Sequence, residues 1–244
     1  MVDELLKEEN VRIIPFREKK MYIVDNHQYA LLVWAREALK RGIPGILVSI
    51  DYHPDTNPPF WLHAYQKAMA IDPEREEKLF SLFQKKILGT VNPLDLETLA
   101  EKMPLMRNDE HINTAMELGY LIDYHMINCM EKHCYATGKH YLVPEENFGT
   151  LKDEMFCAAE FDLSIFNNHE PLFSILDIDL DYFMKRENFV SAPNEMTIFR
   201  ALLQKADVIT CARSVTYFEH LKMENFTIEE CENALIALIK EFIE

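Results

Sequence analysis

Glycine is scarce in this chain of 244 residues, which contains only six. Average proteins contain about 7% glycine. Phosphate-binding loops of the GxGxxG and GxxxxGK types need glycine so that the backbone can approach the phosphate, and neither pattern occurs. The composition therefore argues against a nucleotide-binding protein built on a glycine-rich loop.

Basic residues are also few, since 25 Lys and Arg stand against 41 Asp and Glu and give a formal net charge of −16. Nucleic acids and anionic membrane surfaces are bound mainly through clustered Lys and Arg. We therefore predict that neither is a partner of this protein. An acidic surface of this kind favours solubility and attracts cationic molecules at low salt.

Long apolar runs and cysteine pairs are missing as well. No apolar run reaches the roughly 20 residues that span a bilayer, and the acidic segment from Met1 to Asn10 does not have the layout of a secretory signal peptide. The cysteines form no CxxC pair, which argues against a disulfide framework or a thiolate zinc site. We therefore predict a soluble, cytoplasmic protein with reduced thiols at Cys129, Cys134, Cys157, Cys211 and Cys231.

The residues that are present predict one globular α/β domain over residues 1–244, because 48% are hydrophobic and 27% are charged. Short β-branched runs alternate with segments of helical periodicity. The run from Ile46 to Ile50 is apolar almost throughout, as in parallel strands covered by helices on both faces. The pattern predicts a three-layer, doubly wound, mainly parallel sheet. The predicted strands are 11–16, 21–24, 45–50, 173–178 and 208–211, and the predicted helices are 29–40, 73–87, 109–118, 194–205 and 227–243; residues 93–171 show no readable architecture.

Polar side chains follow three of these strands at the point where each strand ends. His27 follows the second run, the DxHxD of residues 51–55 follows the third, and the acidic run of residues 177–181 follows a late one. In open α/β sheets the carboxyl ends of the strands form the ligand site. Alternate residues of an extended segment share a face, so the acidic and imidazole groups are expected to converge.

A metal is the simplest reason to gather so many carboxylates at buried strand ends. Their mutual repulsion and desolvation cost several kcal/mol without a cation. Carboxylate and imidazole ligands without thiolates favour Mn²⁺, Fe²⁺ or Zn²⁺. Each piece has a structural alternative, because a DxHxD can form a capped turn and a lone His27 can be a core histidine.

Taken together, His27, the Asp51-x-His53-x-Asp55 motif and the Asp177-x-Asp179 motif resemble the ureohydrolase superfamily of arginases and agmatinases. The segments IVDNHQ, SIDYHPD and LDIDLDYF are similar to those of a divergent branch of this superfamily. That branch includes peptide arginases, which convert arginine side chains of peptides to ornithine. The resemblance spans residues 21 to about 214. It implies an arginase/deacetylase-like fold and two divalent ions, Mn²⁺ by preference. One ion would bind His27, Asp51, Asp55 and Asp177, and the other would bind Asp51, His53, Asp177 and Asp179.

The sequence departs from this family at the substrate site. The late strand that ends in a guanidinium-binding glutamate in arginases has no acid here, since it is followed by Arg213 and Ser214. Glu219 is the nearest acid by spacing, with a solvated loop glutamate as the alternative. Arg213 is predicted to bind a substrate carboxylate or carbonyl, or else to form a structural ion pair.

Two positions after the DxHxD complete the predicted site. Asn57 continues the motif as it does in arginases and is a predicted substrate-binding residue. His63 is placed to carry a proton to the leaving amine, although residues 61–65 are equally consistent with the packed start of a helix.

The resemblance implies hydrolysis of a C–N bond by a metal-bridging hydroxide, which needs no side-chain nucleophile. The expected substrate is a guanidino group, in arginine or in an arginine-containing peptide, with Asp179 and His63 in catalytic roles. One alternative is a single-zinc amide deacetylase of the same fold, although no adjacent His-His pair is present. Another is a non-catalytic binding protein with a structural metal site. The oligomeric state, including a homo-oligomer, is left open.

Overall fold

A seven-stranded sheet lies at the centre of the computed structural model, which describes Leu6 and residues 11–130, 138–166, 172–190 and 193–243. The strand order is β1-β2-β7-β6-β3-β4-β5. The β1 and β2 strands are antiparallel, and every other neighbouring pair is parallel. The predicted mainly parallel sheet is therefore confirmed. The strands are β1 (Arg12–Phe16), β2 (Lys19–Val24), β3 (Gly45–Ile50), β4 (Leu121–Asn128), β5 (Lys139–Leu142), β6 (Phe173–Asp179) and β7 (Val208–Ala212).

Helices cover both faces of this sheet. They are α1 (Ala30–Arg41), α2 (Trp61–Ile71), α3 (Glu76–Leu88), α4 (Leu96–Ala100), α5 (His111–Glu117), α6 (Asp153–Ala158), α7 (Thr197–Lys205), α8 (Val215–Leu221) and α9 (Ile228–Ile243). Capping residues end α1 and begin α9. Gly42 follows α1 and has φ 69°, a left-handed conformation that favours glycine at the end of a helix. Before α9, Thr227 and Glu230 exchange backbone-to-side-chain hydrogen bonds as a capping box.

The central strands bury side chains on both faces, which makes the molecule three-layered. On one face, Ile50 and Ile178 belong to a core that includes residues of α7 and α9. On the other face, Leu47 and Ile175 belong to a core that includes residues of α1 and α5. The continuous apolar run of β3 is thus explained, because both sets of alternating side chains are covered.

All five predicted strands are present, but two further strands lie within the stretch that the sequence left unread. The β4 strand carries His125 and Asn128, both buried, so its pattern was not that of an apolar strand. The α2 helix begins at Trp61, in agreement with the alternative for His63. The predicted helix at 73–87 begins only at Glu76, after a 3₁₀ turn. Of the histidines and cysteines, His133, Cys134 and His169 lie outside the described residues.

Within the described part of the chain, none of the helices has both the length and the apolar character that a membrane span needs.

The topology brings four strand ends to one place. From β3 the chain continues to β4 on one side of the sheet, whereas from β6 it continues to β7 on the other side. Such a switch point opens a crevice at the carboxyl ends of the strands. The ends of β3 and β6 are adjacent, and β7 and β2 follow in order.

Candidate metal centre

The three predicted strand ends meet at this crevice. His27 opens a short 3₁₀ turn between β2 and α1 and is fully buried. Asp51 follows β3 directly, and Asp179 is the last residue of β6; both carboxylates are buried. The convergence expected from the sequence is therefore present, and it includes Asp55 and His53 on the loop after β3.

The register of the sheet decides which acids of β6 come level with Asp51. Ser49 pairs with Asp177, and Asp177 pairs with Thr210 on β7. Counting two residues further along each strand brings Asp51 level with Asp179. Asp177 therefore lies one pleat deeper than the carboxylates at the strand ends.

His27 connects the two levels through its two ring nitrogens. Nε2 is 2.7 Å from an oxygen of Asp177. Nδ1 faces the strand ends, where it is 2.9 Å from Asp55, 3.0 Å from Asp179 and 3.4 Å from Asp51. The imidazole thus has one nitrogen in the sheet interior and the other among three carboxylates.

A second group of donors adjoins the first at Asp51. The Nδ1 atom of His53 is 2.9 Å from Asp181 and 3.8 Å from Asp51. One oxygen of Asp51 accepts the backbone N–H of His53 at 2.8 Å, while its other oxygen is buried and accepts no hydrogen bond. One oxygen of Asp181 is likewise buried without a donor. Asp51 therefore lies between a group with His27 and Asp179 and a group with His53 and Asp181.

Two residues of the site have left-handed backbone conformations, which residues other than glycine rarely adopt. Asp55 has φ 43° and Ser214 has φ 41°. Ser214 follows β7, and its hydroxyl donates to Asp179 at 2.5 Å. Backbone strain of this kind persists where surrounding contacts enforce it, and it clusters at functional sites.

The crowding of charge is visible in the pKa values. Burial and the charge of Asp51 raise the pKa of Asp55 to about 8. Burial and neighbouring carboxylates also raise the pKa of Asp179 and, more strongly, that of Asp181. Burial disfavours the charged form of His53, but its bonds to Asp181 and Asp51 outweigh burial and raise its pKa to about 11.

These residues fit a divalent cation by their chemistry. Four buried carboxylates lie beside two imidazoles, at Asp51, Asp55, Asp179, Asp181, His27 and His53. Orphaned oxygens on Asp51 and Asp181 face no protein donor. A cation would supply the missing partner and offset the repulsion that raises the carboxyl pKa values.

Asp177 differs from the other acids because protein donors occupy both of its oxygens. One oxygen accepts from Thr210 at 2.5 Å, and the other accepts from Ser49 at 2.9 Å and faces His27. His27 and these hydrogen bonds keep the pKa of Asp177 low despite complete burial. Both oxygens of Asp177 are thus engaged by protein donors, whereas Asp179 and Asp181 line the cavity beside the strand ends. The ligand set implied by the resemblance, which included Asp177, stays a prediction.

A cavity of about 200 Å³ opens next to these groups. Its walls include His53, Asp55, Asp179 and Asp181, so both donor groups reach it. Asn57 also lines the cavity, as its predicted substrate role requires, together with Thr56, Asn108, Asp109, Met130, Ser214 and Tyr217.

Two long-range contacts join residues that line the cavity. Asn57 donates its side-chain amide to Asp109 at 2.9 Å, and its backbone N–H donates to the Asp109 carbonyl at 2.8 Å. Asp109 was not among the predicted site residues, because no short-range pattern connects it to the DxHxD motif. Tyr217 on α8 packs edge-on against His53 at 5.2 Å between ring centroids.

Three predicted roles are not supported by the placement of the side chains. His63 lies in the first turn of α2, away from the lining of the cavity. Arg213 pairs with Asp25, Glu229 and Glu232, which is the structural ion pair given as its alternative. Glu219 is a half-exposed residue of α8 whose carboxylate pairs with Lys222. Arg213 and Glu219 thus have local partners, and none of the three residues is in the lining of the cavity.

His111 is a buried neighbour of the site that the sequence left among the structural histidines. Its ring centroid is 4.3 Å from that of His27 and 5.2 Å from that of Trp34. Its Nδ1 is 2.6 Å from the carbonyl of Asn108. Burial and the charge of His27 lower the pKa of His111 to about 3, so this ring is neutral and packs against His27.

The buried carboxyl group of Glu110, beside this site, makes stability depend on pH. Burial raises its pKa to about 7 from a usual 4.5, although it accepts backbone N–H groups of Leu62 and Arg107. A carboxyl whose pKa is higher in the folded state binds its proton more tightly there, so folding loses stability as pH rises from about 4.5 to 7. The whole effect is about 3 kcal/mol.

We expect Glu110→Gln to remove this dependence. The free energy of unfolding of both proteins is measured with urea in the presence of EDTA. Between pH 5 and pH 8 the wild type should lose stability relative to the variant. The exposed Glu117 on α5 provides the control, because Glu117→Gln makes the same chemical change at a carboxyl group that is not buried. A flat difference for Glu110→Gln would contradict the expectation.

The sequence matches no protein-family model, and a search of curated proteins found no match. Among solved structures, the chain is similar to proclavaminate amidino hydrolase from Streptomyces clavuligerus, with a TM-score of 0.45 and 12% sequence identity. The similarity covers 91% of this chain and 64% of that chain. The chemistry assigned to the site rests on the site's own geometry and not on this distant similarity.

Proposed function

We propose that this chain is a divalent-metal-dependent hydrolase of C–N bonds that acts on a guanidino group. The observation that supports this most is the meeting of four buried carboxylates and two imidazoles beside one small cavity, whose walls include Asp55, Asp179, Asp181 and His53. Carboxylate and imidazole donors suit Mn²⁺, with Fe²⁺ and Zn²⁺ as alternatives.

The proposed ligands fall into two groups that share Asp51. The first consists of His27 Nδ1, Asp51, Asp55 and Asp179, which lie within 3.4 Å of that nitrogen. The second consists of Asp51, His53 and Asp181. When bound, divalent ions lower the pKa of water and polarise the substrate, so that hydrolysis proceeds near neutral pH.

The side chains around the cavity favour a small cationic group. Asp55, Asp109, Asp179 and Asp181 are among its described lining residues, which include no Arg or Lys; Arg107 lies outside the lining, 3.8 Å from Asp109. A guanidinium offers a fork of N–H donors that matches carboxylate and amide acceptors. Asn57, whose amide group donates to Asp109, lines this space and is the proposed orienting residue.

The volume of about 200 Å³ suits the end of a side chain and its first methylenes. The backbone of a substrate would remain outside the cavity. Arginine, agmatine and arginine within a peptide all present the same group in this way. We therefore include peptide-bound arginine, converted to ornithine with release of urea, among the proposed substrates.

The test uses purified protein treated with EDTA and then supplied with Mn²⁺. We expect metal-dependent urea release from at least one of arginine, agmatine and arginine-containing peptides, and about two metal equivalents per chain. Absence of bound metal together with absence of urea would contradict the proposal.

The same preparation distinguishes the two alternatives. One tightly bound zinc per chain with cleavage of acetyl-amides would support a deacetylase. In a catalytic site, Asp179→Ala should abolish the urea release that the wild type shows, and it should also lose part of the stabilisation by Mn²⁺. A structural metal site should lose melting temperature in that variant while the wild type releases no urea.

A further inference from the structure

Asp177 is the buried acid of the site that the proposed ligand set leaves unused. It lies one pleat below the carboxylates, and both of its oxygens accept hydrogen bonds. We propose that Asp177 is a positioning residue, which holds the His27 ring with Nε2–H directed at Asp177 and Nδ1 directed at the metal. This inference rests on the proposed metal site.

The hydrogen-bond directions around Asp177 follow from the donors themselves. The indole N–H of Trp34 can only donate, and it donates to the Thr210 hydroxyl oxygen at 3.1 Å. Thr210 therefore directs its own proton to Asp177 Oδ1 at 2.5 Å. Ser49 donates to Oδ2 at 2.9 Å. Two hydroxyl protons thus point at a carboxylate that, when ionised, can only accept.

This arrangement fixes the protonation of His27. The 2.7 Å contact between Nε2 and Asp177 Oδ2 requires a proton, and an ionised Asp177 has none to give, so Nε2 carries it. A neutral imidazole protonated at Nε2 has its lone pair on Nδ1. That nitrogen faces Asp51, Asp55 and Asp179. A cation that binds among these carboxylates takes the Nδ1 lone pair in place of a proton, while Nε2 keeps its hydrogen bond to Asp177.

The ring is also prevented from turning. His111 packs on its face at 4.3 Å between centroids, and the backbone anchors His111 through Asn108. Carboxylate–histidine–metal arrangements of this kind orient the ring and raise its basicity as a ligand. Loss of such a supporting partner typically lowers metal affinity about 10- to 100-fold.

The experiment compares the Mn²⁺ affinity of EDTA-treated wild type, Asp177→Ala and Asp177→Asn by calorimetry. We expect Asp177→Ala to bind about 10- to 100-fold more weakly. Asp177→Asn keeps an acceptor for His27 and can donate to Thr210, so we expect it to recover most of the affinity. If the alanine variant does not fold, the asparagine variant still decides, together with Asp179→Asn as the matched ligand variant. A supporting role predicts that Asp179→Asn loses far more affinity than Asp177→Asn, whereas equal losses would make Asp177 a ligand and overturn the proposal.

The state of the ring is measured separately. With Zn²⁺ as a diamagnetic probe, long-range ¹H–¹⁵N spectra of histidine-labelled protein should show His27 protonated at Nε2 and metal-bound at Nδ1. Metal on Nε2, which would place it among Asp177, His27 and His111, would contradict the proposal. If the wild type binds neither ion, the proposed function fails as a whole; if it binds Mn²⁺ and Asp177→Ala binds equally well, only the role of Asp177 fails.

Discussion

Replacing Asp51 with asparagine is expected to lower metal-dependent urea release by roughly a thousandfold or more, the equivalent of several kcal/mol of lost transition-state stabilisation. Asp51 is the acid that both donor groups share. Its free oxygen is buried without a protein donor, and its other oxygen accepts the backbone N–H of His53. The substitution keeps the volume of the side chain but removes its charge from both groups. Metal analysis of the same sample should show the loss of at least one equivalent.

The control is Asp25→Asn, two residues before His27. Asp25 is exposed and pairs with Arg213, so its loss removes an acid near the site without touching the cluster. Its urea release should stay within a few-fold of the wild type. Equal activity for the wild type and Asp51→Asn would show that the shared carboxylate has no part in the reaction.

Adding Mn²⁺ is expected to stabilise the fold substantially, because the folded state alone gathers the ligands. At a free ion concentration a hundredfold above Kd, the free energy of unfolding should rise by about 2.7 kcal/mol. For a chain of this size, that raises the melting temperature by roughly 5–10 °C. EDTA should reverse the shift.

The variant Asp181→Asn tests whether Asp181 contributes to the stabilisation by Mn²⁺. In EDTA the variant should be at least as stable as the wild type at neutral pH, because burial and neighbouring acids already penalise the Asp181 charge and raise its pKa. In Mn²⁺ the order should reverse, since the variant lacks a ligand oxygen. A variant that gains as much stability from Mn²⁺ as the wild type would show that Asp181 does not face the ion.

Much of the site could be predicted from local sequence. The strand that ends at Ile50 and the buried strand that ends at Asp179 were both readable as apolar runs followed by polar residues. Because parallel strands end at the same edge of a sheet, their acids had to meet. The buried cluster around His27 is the physical result of that rule.

Local sequence could not show which of the acids in β6 and in the turn after it come level with Asp51. Asp177, Asp179 and Asp181 alternate along the chain, so the two-residue period gives no reason to prefer one pair. Which acid comes level with Asp51 depends on how β6 aligns with β3, and the structure aligns Ser49 with Asp177. Register between distant strands is a tertiary property, and the proposed ligand set, which replaces Asp177 by Asp181, follows from it.

The contact between Asn57 and Asp109 beside the cavity could not be predicted from local sequence either. Asn57 and Asp109 are joined by two hydrogen bonds across 52 residues of sequence. For Arg213, the sequence left substrate binding and a structural ion pair both open, and the structure pairs it with Asp25 after β2 and with two acids of α9. Side chains of this type take partners that local patterns do not specify.

The most direct test of the metal site is anomalous diffraction at the manganese edge from crystals grown with Mn²⁺. We predict two peaks: one coordinated by His27 Nδ1, Asp55 and Asp179, and the other by His53 and Asp181, with Asp51 bound to both. Asp177 should remain hydrogen-bonded to Ser49 and Thr210 without contacting either ion. No peak at these carboxylates would contradict the assignment of a metal centre, and a peak bound by Asp177 would contradict the proposed ligand set.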